Sequence, residues 1–124
     1  MAKILADHQI RNLLGSAILN ASPDCVRSNS YELRLGKKVR FDSTSEEFDI
    51  PDGHFLEIPA GEFITIASLE KLDFSREALD ALQRKSQITA LITPTTTMMR
   101  EGFLFTTTRV DPGFRGVLNW GMLN

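Results

Sequence analysis

The period of the apolar positions changes several times along the chain, and each change marks an element. Ile10, Leu13 and Leu14 follow the i, i+3, i+4 spacing of one helical face, with Asp7 positioned to cap the free amides at its start and Gly15 and Ser16 closing it early. In "SNSYELRLGKKVRF" the period becomes two. Tyr31, Leu33 and Leu35 alternate with Glu32 and Arg34, and Val39 and Phe41 resume beyond Gly36, which predicts two strands or one strand with a bulge. "FDSTSEEFDIPDGHF" is polar and broken by Pro51 and Gly53, so it reads as an exposed loop. "FLEIPAGEFITIAS" predicts two short strands around a Pro59-Ala60-Gly61 turn, the first carrying Phe55, Leu56 and Ile58, the second Phe63, Ile64 and Ile66. "FSREALDALQRKS" returns to the helical period, with Ser75 at the cap and Ala78, Leu79 and Leu82 on one side. From Gln87 onward β-branched residues dominate. "ITALITPTTT" and "FLFTTTRV" read as strands separated by residues 98 to 102, and both threonine runs read as strand formers. Asp111, Pro112 and Gly113 make a turn before a last strand over residues 117 to 120. Many short strands with closely spaced turns, one N-terminal helix, no repeat and no linker predict a mostly β domain, a barrel or a sandwich.

Composition narrows the functional classes. A chain of 124 residues suits one domain, and a net charge of −2 without a basic run offers no electrostatic footprint for a nucleic-acid polymer or an anionic membrane. Cys25 is the only cysteine, which rules out an internal disulfide framework and a zinc site of paired cysteines, and points to a reducing cytoplasm. No segment approaches the ~18 apolar residues of a membrane span. With His8 and His54 as the only histidines there is no metal-binding histidine pair, and the chain has neither a Walker-type loop nor a Gly-x-Ser-x-Gly elbow. Trp120 and the phenylalanines read as core.

The motifs carry a more specific signal. "ILADHQIRNLL", "SYELRLG", "LEIPAGEFITIASLEKLDF", "KSQITAL" and "TTTRVDPGFRG" follow one another in the order and with the character of the dCTP deaminases, which form one superfamily with the dUTPases. The resemblance spans nearly the whole chain, and "SYELRLG" and "RVDPGFRG" are its most specific parts. It implies an all-β fold, a distorted jelly-roll β-barrel with a short N-terminal helix. It further implies homotrimers with sites between subunits, and a deoxynucleoside triphosphate, dCTP or dUTP, as the ligand, with Mg2+ carried on its phosphates rather than by protein ligands.

The same resemblance assigns residues. The family's phosphate-binding Arg-Ser-Ser-Leu falls on Lys85, Ser86, Gln87 and Ile88. A cation beside a hydroxyl and free amides supplies charge and directed donors together, although lysine keeps the charge and loses the two-pronged fork of arginine. Arg109 and Asp111 match the arginine and aspartate before the Pro-Gly-aromatic turn, where the dUTPase aspartate orders the attacking water and faces the deoxyribose. Without the resemblance, residues 85 to 87 are a solvated polar stretch and Asp111 simply opens a turn.

Three departures limit the carry-over. The deaminase glutamate that shuttles the proton falls on Gly121, and a second site arginine falls on Ala90. About eight extra residues lie between Leu91 and Gly102, long for a connection at a site edge, and Glu101 among them is not expected to reach the site. Residues 1–124 are therefore expected to form a single dUTPase-like domain without the family's last strands and covering segment, either as a piece of a longer protein or as a shortened fold whose missing strands another chain supplies; otherwise the strand running to Asn124 would be an exposed edge inviting association. Three functions follow: a deaminase or dUTPase acting on a pyrimidine deoxynucleotide, a nucleotide-binding or regulatory homologue without the chemistry, and a structural trimerisation module.

Overall fold

The computed structural model describes residues 1–124. Its elements in chain order are α1 (Asp7–Arg11), β1 (Ile18–Leu19), a 3-10 turn (Pro23–Cys25), β2 (Leu35–Phe41), β3 (Glu47–Asp49), β4 (Phe63–Asp73), α2 (Arg76–Ala81), β5 (Ala90–Ile92), α3 (Thr96–Arg100), β6 (Leu104–Phe105), β7 (Thr108–Val110) and β8 (Arg115–Leu123). The chain is mainly β, as its patterning and its resemblance both imply, and every strand pairing is antiparallel. One sheet runs β3-β2-β4-β8-β6 with β1 added to β4; β5 and β7 form a separate two-stranded ribbon.

β4 is the spine because its side chains alternate as far as Leu72: Ile64, Ile66, Ser68, Glu70 and Leu72 are buried, with Phe63, Thr65, Ala67 and Lys71 on the other face. It bulges in the middle, where the pairing to β8 shifts between Ala67 and Lys71, and β2 shifts against it between Leu35 and Val39. Two residues accommodate this irregularity. The Ser68 hydroxyl donates to the Glu70 carbonyl at 2.6 Å and accepts from the Leu118 amide at 2.9 Å. Gly36 gives the close approach, since a Cβ there would lie 2.8 Å from the Ser68 carbonyl oxygen and 2.9 Å from that of Ala67. The predicted bulge at Gly36 is thus a contact between two bulged strands.

Glu70 is fully buried within this spine. Its carboxylate accepts from the Tyr31 hydroxyl at 3.0 Å, the Arg34 amide at 2.9 Å and Arg34 Nε at 2.7 Å, and Arg34 also donates to the Asn20 carbonyl. A buried carboxylate is tolerated because each neighbouring donor faces it. Burial, reinforced by the hydrogen bond to Glu70, pushes the Tyr31 phenol up to about 12. No buried side-chain nitrogen or oxygen lacks a hydrogen-bond partner.

Two apolar clusters flank the sheet. The larger joins α1, α2 and the ribbon through Ile10, Leu13, Leu72, Leu79, Ile88 and Val110; the smaller packs Val39, Ile64, Ile66 and Met122 under Leu56, Ile58, Met98 and Phe103, and Trp120 touches both.

Several expectations are corrected. Ala6, not Asp7, is the N-cap of α1; Gln9 Oε1 accepts from the Ala6 amide, and Asp7 is the first helical residue, its carboxylate accepting from the His8 amide. The segment expected to be a loop holds β3, an exposed strand of three residues that pairs with β2 and stacks Phe48 on Phe41, too short for its alternation of Phe48 and Ile50 with Glu47 and Asp49 to stand out. Residues 55 to 58 form no strand and instead lay Leu56 and Ile58 over the smaller cluster. Tyr31 makes only an isolated bridge to Val26, and "SYELR" serves as a strap onto Glu70. The strand expected through Thr97 ends at Ile92. Thr95 turns its hydroxyl to the Met98 amide and caps α3, a competing use of threonine that defeats its β propensity. β8 is longer than expected and runs between β4 and β6, with Leu123 paired to both Phe63 and Leu104, so its end is not the open edge anticipated.

Candidate functional site

The ribbon positions the residues singled out by sequence. Ala90, Leu91 and Ile92 of β5 pair with Val110, Arg109 and Thr108 of β7, and the Thr89 hydroxyl donates to the Val110 carbonyl at 2.7 Å. Ile88, Ala90, Ile92 and Val110 face the larger cluster, which turns Leu91 and Arg109 to solvent. The segment entering β5, residues 85 to 87, and the turn leaving β7 at Asp111 consequently lie at the same end of one ribbon. Lys85, Ser86 and Gln87 are exposed, and their side chains make no hydrogen bond or ion pair with Arg109 or Asp111.

Arg109 and Asp111 are in contact. Nε and Nη2 of Arg109 both lie 2.9 Å from Asp111 Oδ1, and the two side chains are 67% and 68% exposed. The turn after Asp111 is tight. The Phe114 amide donates to the Asp111 carbonyl at 3.1 Å, Pro112 supplies the fixed φ of the second position, and Gly113 at φ 83° supplies the left-handed third. Phe74 anchors this turn to the end of β4, donating to the Phe114 carbonyl at 2.8 Å and accepting from the Gly113 amide at 3.2 Å.

From Phe74 the chain runs directly into α2. Ser75 caps that helix by accepting from the Ala78 amide at 3.3 Å, as its sequence implies. Asp73 Oδ1 accepts from the Ser75 amide at 3.1 Å, and its Oδ2 lies 3.2 Å from Arg115 Nε. Hydrogen bonding from Ser75 is the main cause that holds the Asp73 carboxyl below the usual carboxylate range, with Arg115 and Lys71 adding to it. α2 therefore connects the anchor of the Asp111 turn to the segment that carries Lys85.

The remaining sequence candidates sit elsewhere. Ala90 is half-buried on the inner face of the ribbon. Gly121 lies on β8 in the large sheet, paired with Thr65, and the space a side chain there would enter is taken by the Phe63 ring: a Cβ would lie 2.1 Å from Cζ. Glu101 caps the exposed end of α3, whose Met98 packs into the smaller cluster, whereas the ribbon packs on the larger one. No group of three or more His, Cys, Asp or Glu side chains is arranged to hold a metal ion. A groove of about 470 Å3 between α1 and the turn after α2 is lined by Gln9, Asn12, Leu13, Leu82, Gln83 and Arg84, and it adjoins the candidate segment without including it. No helix is long and apolar enough to cross a membrane.

Sequence reasoning missed Phe63, Glu70, Asp73 and Arg76. Glu70 alone left a signal, a charged residue in phase with Ile64, Ile66 and Leu72.

No protein-family model matches the chain. Over 119 residues it is 29% identical to a dCTP deaminase of Saccharolobus solfataricus, an alignment that covers 91% of this chain and 64% of that protein. The chain thus spans less than two thirds of the length of the relative it matches. This is a distant likeness to a dCTP deaminase over most of the chain, and it singles out no particular member of that group.

Proposed function

We propose that this protein binds a pyrimidine deoxynucleoside triphosphate, dCTP or dUTP, as a cytoplasmic component of deoxynucleotide metabolism. The observation that carries the reading is the β5 to β7 pairing, which brings the Lys85 segment and the Arg109 to Asp111 turn to one end of a ribbon. Lys85 supplies charge to the phosphates, Ser86 and Gln87 supply directed donors, and Asp111 accepts from the sugar or from a water. Mg2+ fits this scheme as a companion of the phosphates, neutralising charge on the triphosphate. Assembly into homotrimers belongs to the same reading. It is supported by the resemblance and by Val117 and Leu104, exposed apolar residues on the face of the sheet that also carries Phe63 and Leu123.

Deamination is not part of the proposal. Base catalysis needs a proton carrier at the ring, worth roughly 10²–10⁴-fold, and Gly121 with Phe63 over it offers none. Hydrolysis of dUTP through Asp111 is the chemistry that the residues still allow. Calorimetry and melting with dUTP, dCTP and dTTP in magnesium test binding, and stabilisation by mass action is the expected result. Asp111→Asn should keep the fold and abolish any dUTP hydrolysis. Neither heat nor a melting shift at millimolar nucleotide sinks the nucleotide reading, and ammonia released from dCTP at an enzymatic rate sinks the exclusion of deamination.

A further inference from the structure

The turn between α2 and β5 is held by more contacts than a surface turn requires. α2 ends with Gln83 in the left-handed conformation, φ 54°, where glycine is the usual occupant. The Arg84 amide donates to the Leu79 carbonyl at 2.8 Å and the Gln83 amide to the Asp80 carbonyl at 2.9 Å, the paired bonds that close a helix at such a residue. Arg76 then spans the turn. Its Nε donates to Asp80 Oδ1 at 2.8 Å, Nη1 donates to the Lys85 carbonyl at 3.1 Å, and Nη2 donates to the Arg84 carbonyl.

The consequence is directional. In a trans peptide the N–H points opposite to the C=O. With the carbonyls of Arg84 and Lys85 both turned to the guanidinium, the amides of Lys85 and Ser86 face the other way. None of the amides of residues 85 to 88 donates to an acceptor within the chain. Exposed backbone donors in succession beside a lysine, with their carbonyls withdrawn and engaged, form a concavity suited to an anion. A non-glycine residue held left-handed next to it marks a conformation that its surroundings enforce.

We infer that Arg76 is a positioning residue for anion binding: it holds the carbonyls of Arg84 and Lys85 so that the amides of Lys85 and Ser86, with the Lys85 ammonium, receive a phosphate oxygen of the ligand. This deepens the nucleotide reading and rests on it. Arg76 itself touches no phosphate. Its charge is already opposed by Asp80, 2.7 Å from Nη2.

The test uses the whole protein and two probes, dUTP and inorganic tripolyphosphate, by calorimetry at low and high salt. Arg76→Ala should weaken both about tenfold or more, the range found when residues that orient ligating groups are removed. It should leave the salt dependence of binding as in wild type, while speeding hydrogen exchange of the Gln83 and Arg84 amides, the ones the turn holds in hydrogen bonds. Lys85→Ala should instead flatten the salt dependence, because it removes a charge that meets the phosphate. Gln83→Gly, which accepts the left-handed turn freely, should bind as wild type and serves as the control for a fold defect. Wild-type protein that takes up neither probe overturns the nucleotide reading and this inference with it. Wild-type binding that Arg76→Ala changes less than twofold overturns this inference alone, as does a salt dependence that Arg76→Ala flattens as Lys85→Ala does.

Discussion

Gly121→Ala puts a methyl group where the Phe63 ring lies. The added Cβ would stand 2.1 Å from Cζ, 2.8 Å from Cε2 and 3.1 Å from Cε1, all inside contact distance, so the ring must move. Overpacking of this kind costs about 1–3 kcal/mol. Phe63 is half-buried on the open face of the sheet and its ring tip can swing towards solvent, which favours the lower part of that range, about 1–2 kcal/mol. For 124 residues, an unfolding entropy of roughly 2.1 cal/mol/K per residue converts this to a fall in Tm of about 4–8 °C. Thermal melts and urea unfolding of four proteins decide it: wild type, Gly121→Ala, Phe63→Ala and the double variant. Phe63→Ala alone loses packing over the glycine, but in the double variant the methyl fills space the ring has left. The double variant should therefore be about 1 kcal/mol or more stable than the sum of the singles predicts. Additivity within about 0.5 kcal/mol, or a Gly121→Ala protein that melts with wild type, refutes the claim that the ring occupies this position. A carboxylate introduced at residue 121 meets the same ring, so Gly121→Glu by itself should create no deaminase.

Glu70→Ala leaves Tyr31 and Arg34 facing an empty site, and should cost about 3 kcal/mol, the lower end for a broken buried pair because the Arg34 side chain can rehydrate; a loss under about 1 kcal/mol in urea unfolding sinks this account of the strap. Tyr31 has a raised folded-state pKa, so its contribution to stability is complete below the ordinary phenol value of about 10 and is lost as pH rises through about 12. Melting curves of Tyr31→Phe should lack that alkaline loss. Asp73 has a depressed folded-state pKa, so its contribution is present above the ordinary carboxylate value of about 3.9 and is lost as pH falls through the folded value. Asp73→Asn should shrink the acid loss of stability and leave the alkaline limb alone; an acid limb identical to that of wild type counts against the role of Ser75 and Arg115.

Legibility followed locality. The Ser75 cap and the Pro112-Gly113 turn rest on residues adjacent in sequence, and both are present. β3 escaped because it is only three residues long and exposed, and it is held to β2 by its ladder, by the stacking of Phe48 on Phe41 and by the Lys38–Asp49 pair, contacts across strands that no local period announces. α3 escaped because Thr95 follows Pro94 and offers its hydroxyl to an amide, a local competition that outweighs β propensity. For the candidate site, the motifs single out residues, and nothing local in the sequence says that the two segments share one end of a ribbon. Only the pairing of β5 with β7, across some twenty intervening positions, brings the Lys85 segment near Asp111. Arg76 left no trace at all, since an arginine on the exposed side of a short helix has no pattern that announces two carbonyls in the next turn.

The contacts that keep the fold and those that would serve a ligand differ in kind, and this makes the two separable by mutation. Glu70 is dry and its oxygens are saturated by three donors, so any change there is felt throughout the sheet. Arg109 and Asp111 are the reverse. Both side chains stand in solvent, where such a pair contributes about 0.2–1 kcal/mol, so the fold does not depend on it. Both nitrogens of Arg109 meet a single oxygen, Oδ1, which leaves Oδ2 of Asp111 free to accept from a hydroxyl or a water. On the proposed function, this weak contact beside an open acceptor would be exchanged for a stronger one on binding, with Arg109 turning to phosphate and the whole carboxylate released to the sugar or the water. Substitutions at 109 and 111 should accordingly leave Tm unchanged and alter binding, whereas those at 36 and 70 should lower Tm first. A loss of nucleotide binding that always tracked Tm across these four positions would mean that the exposed pair serves the fold after all.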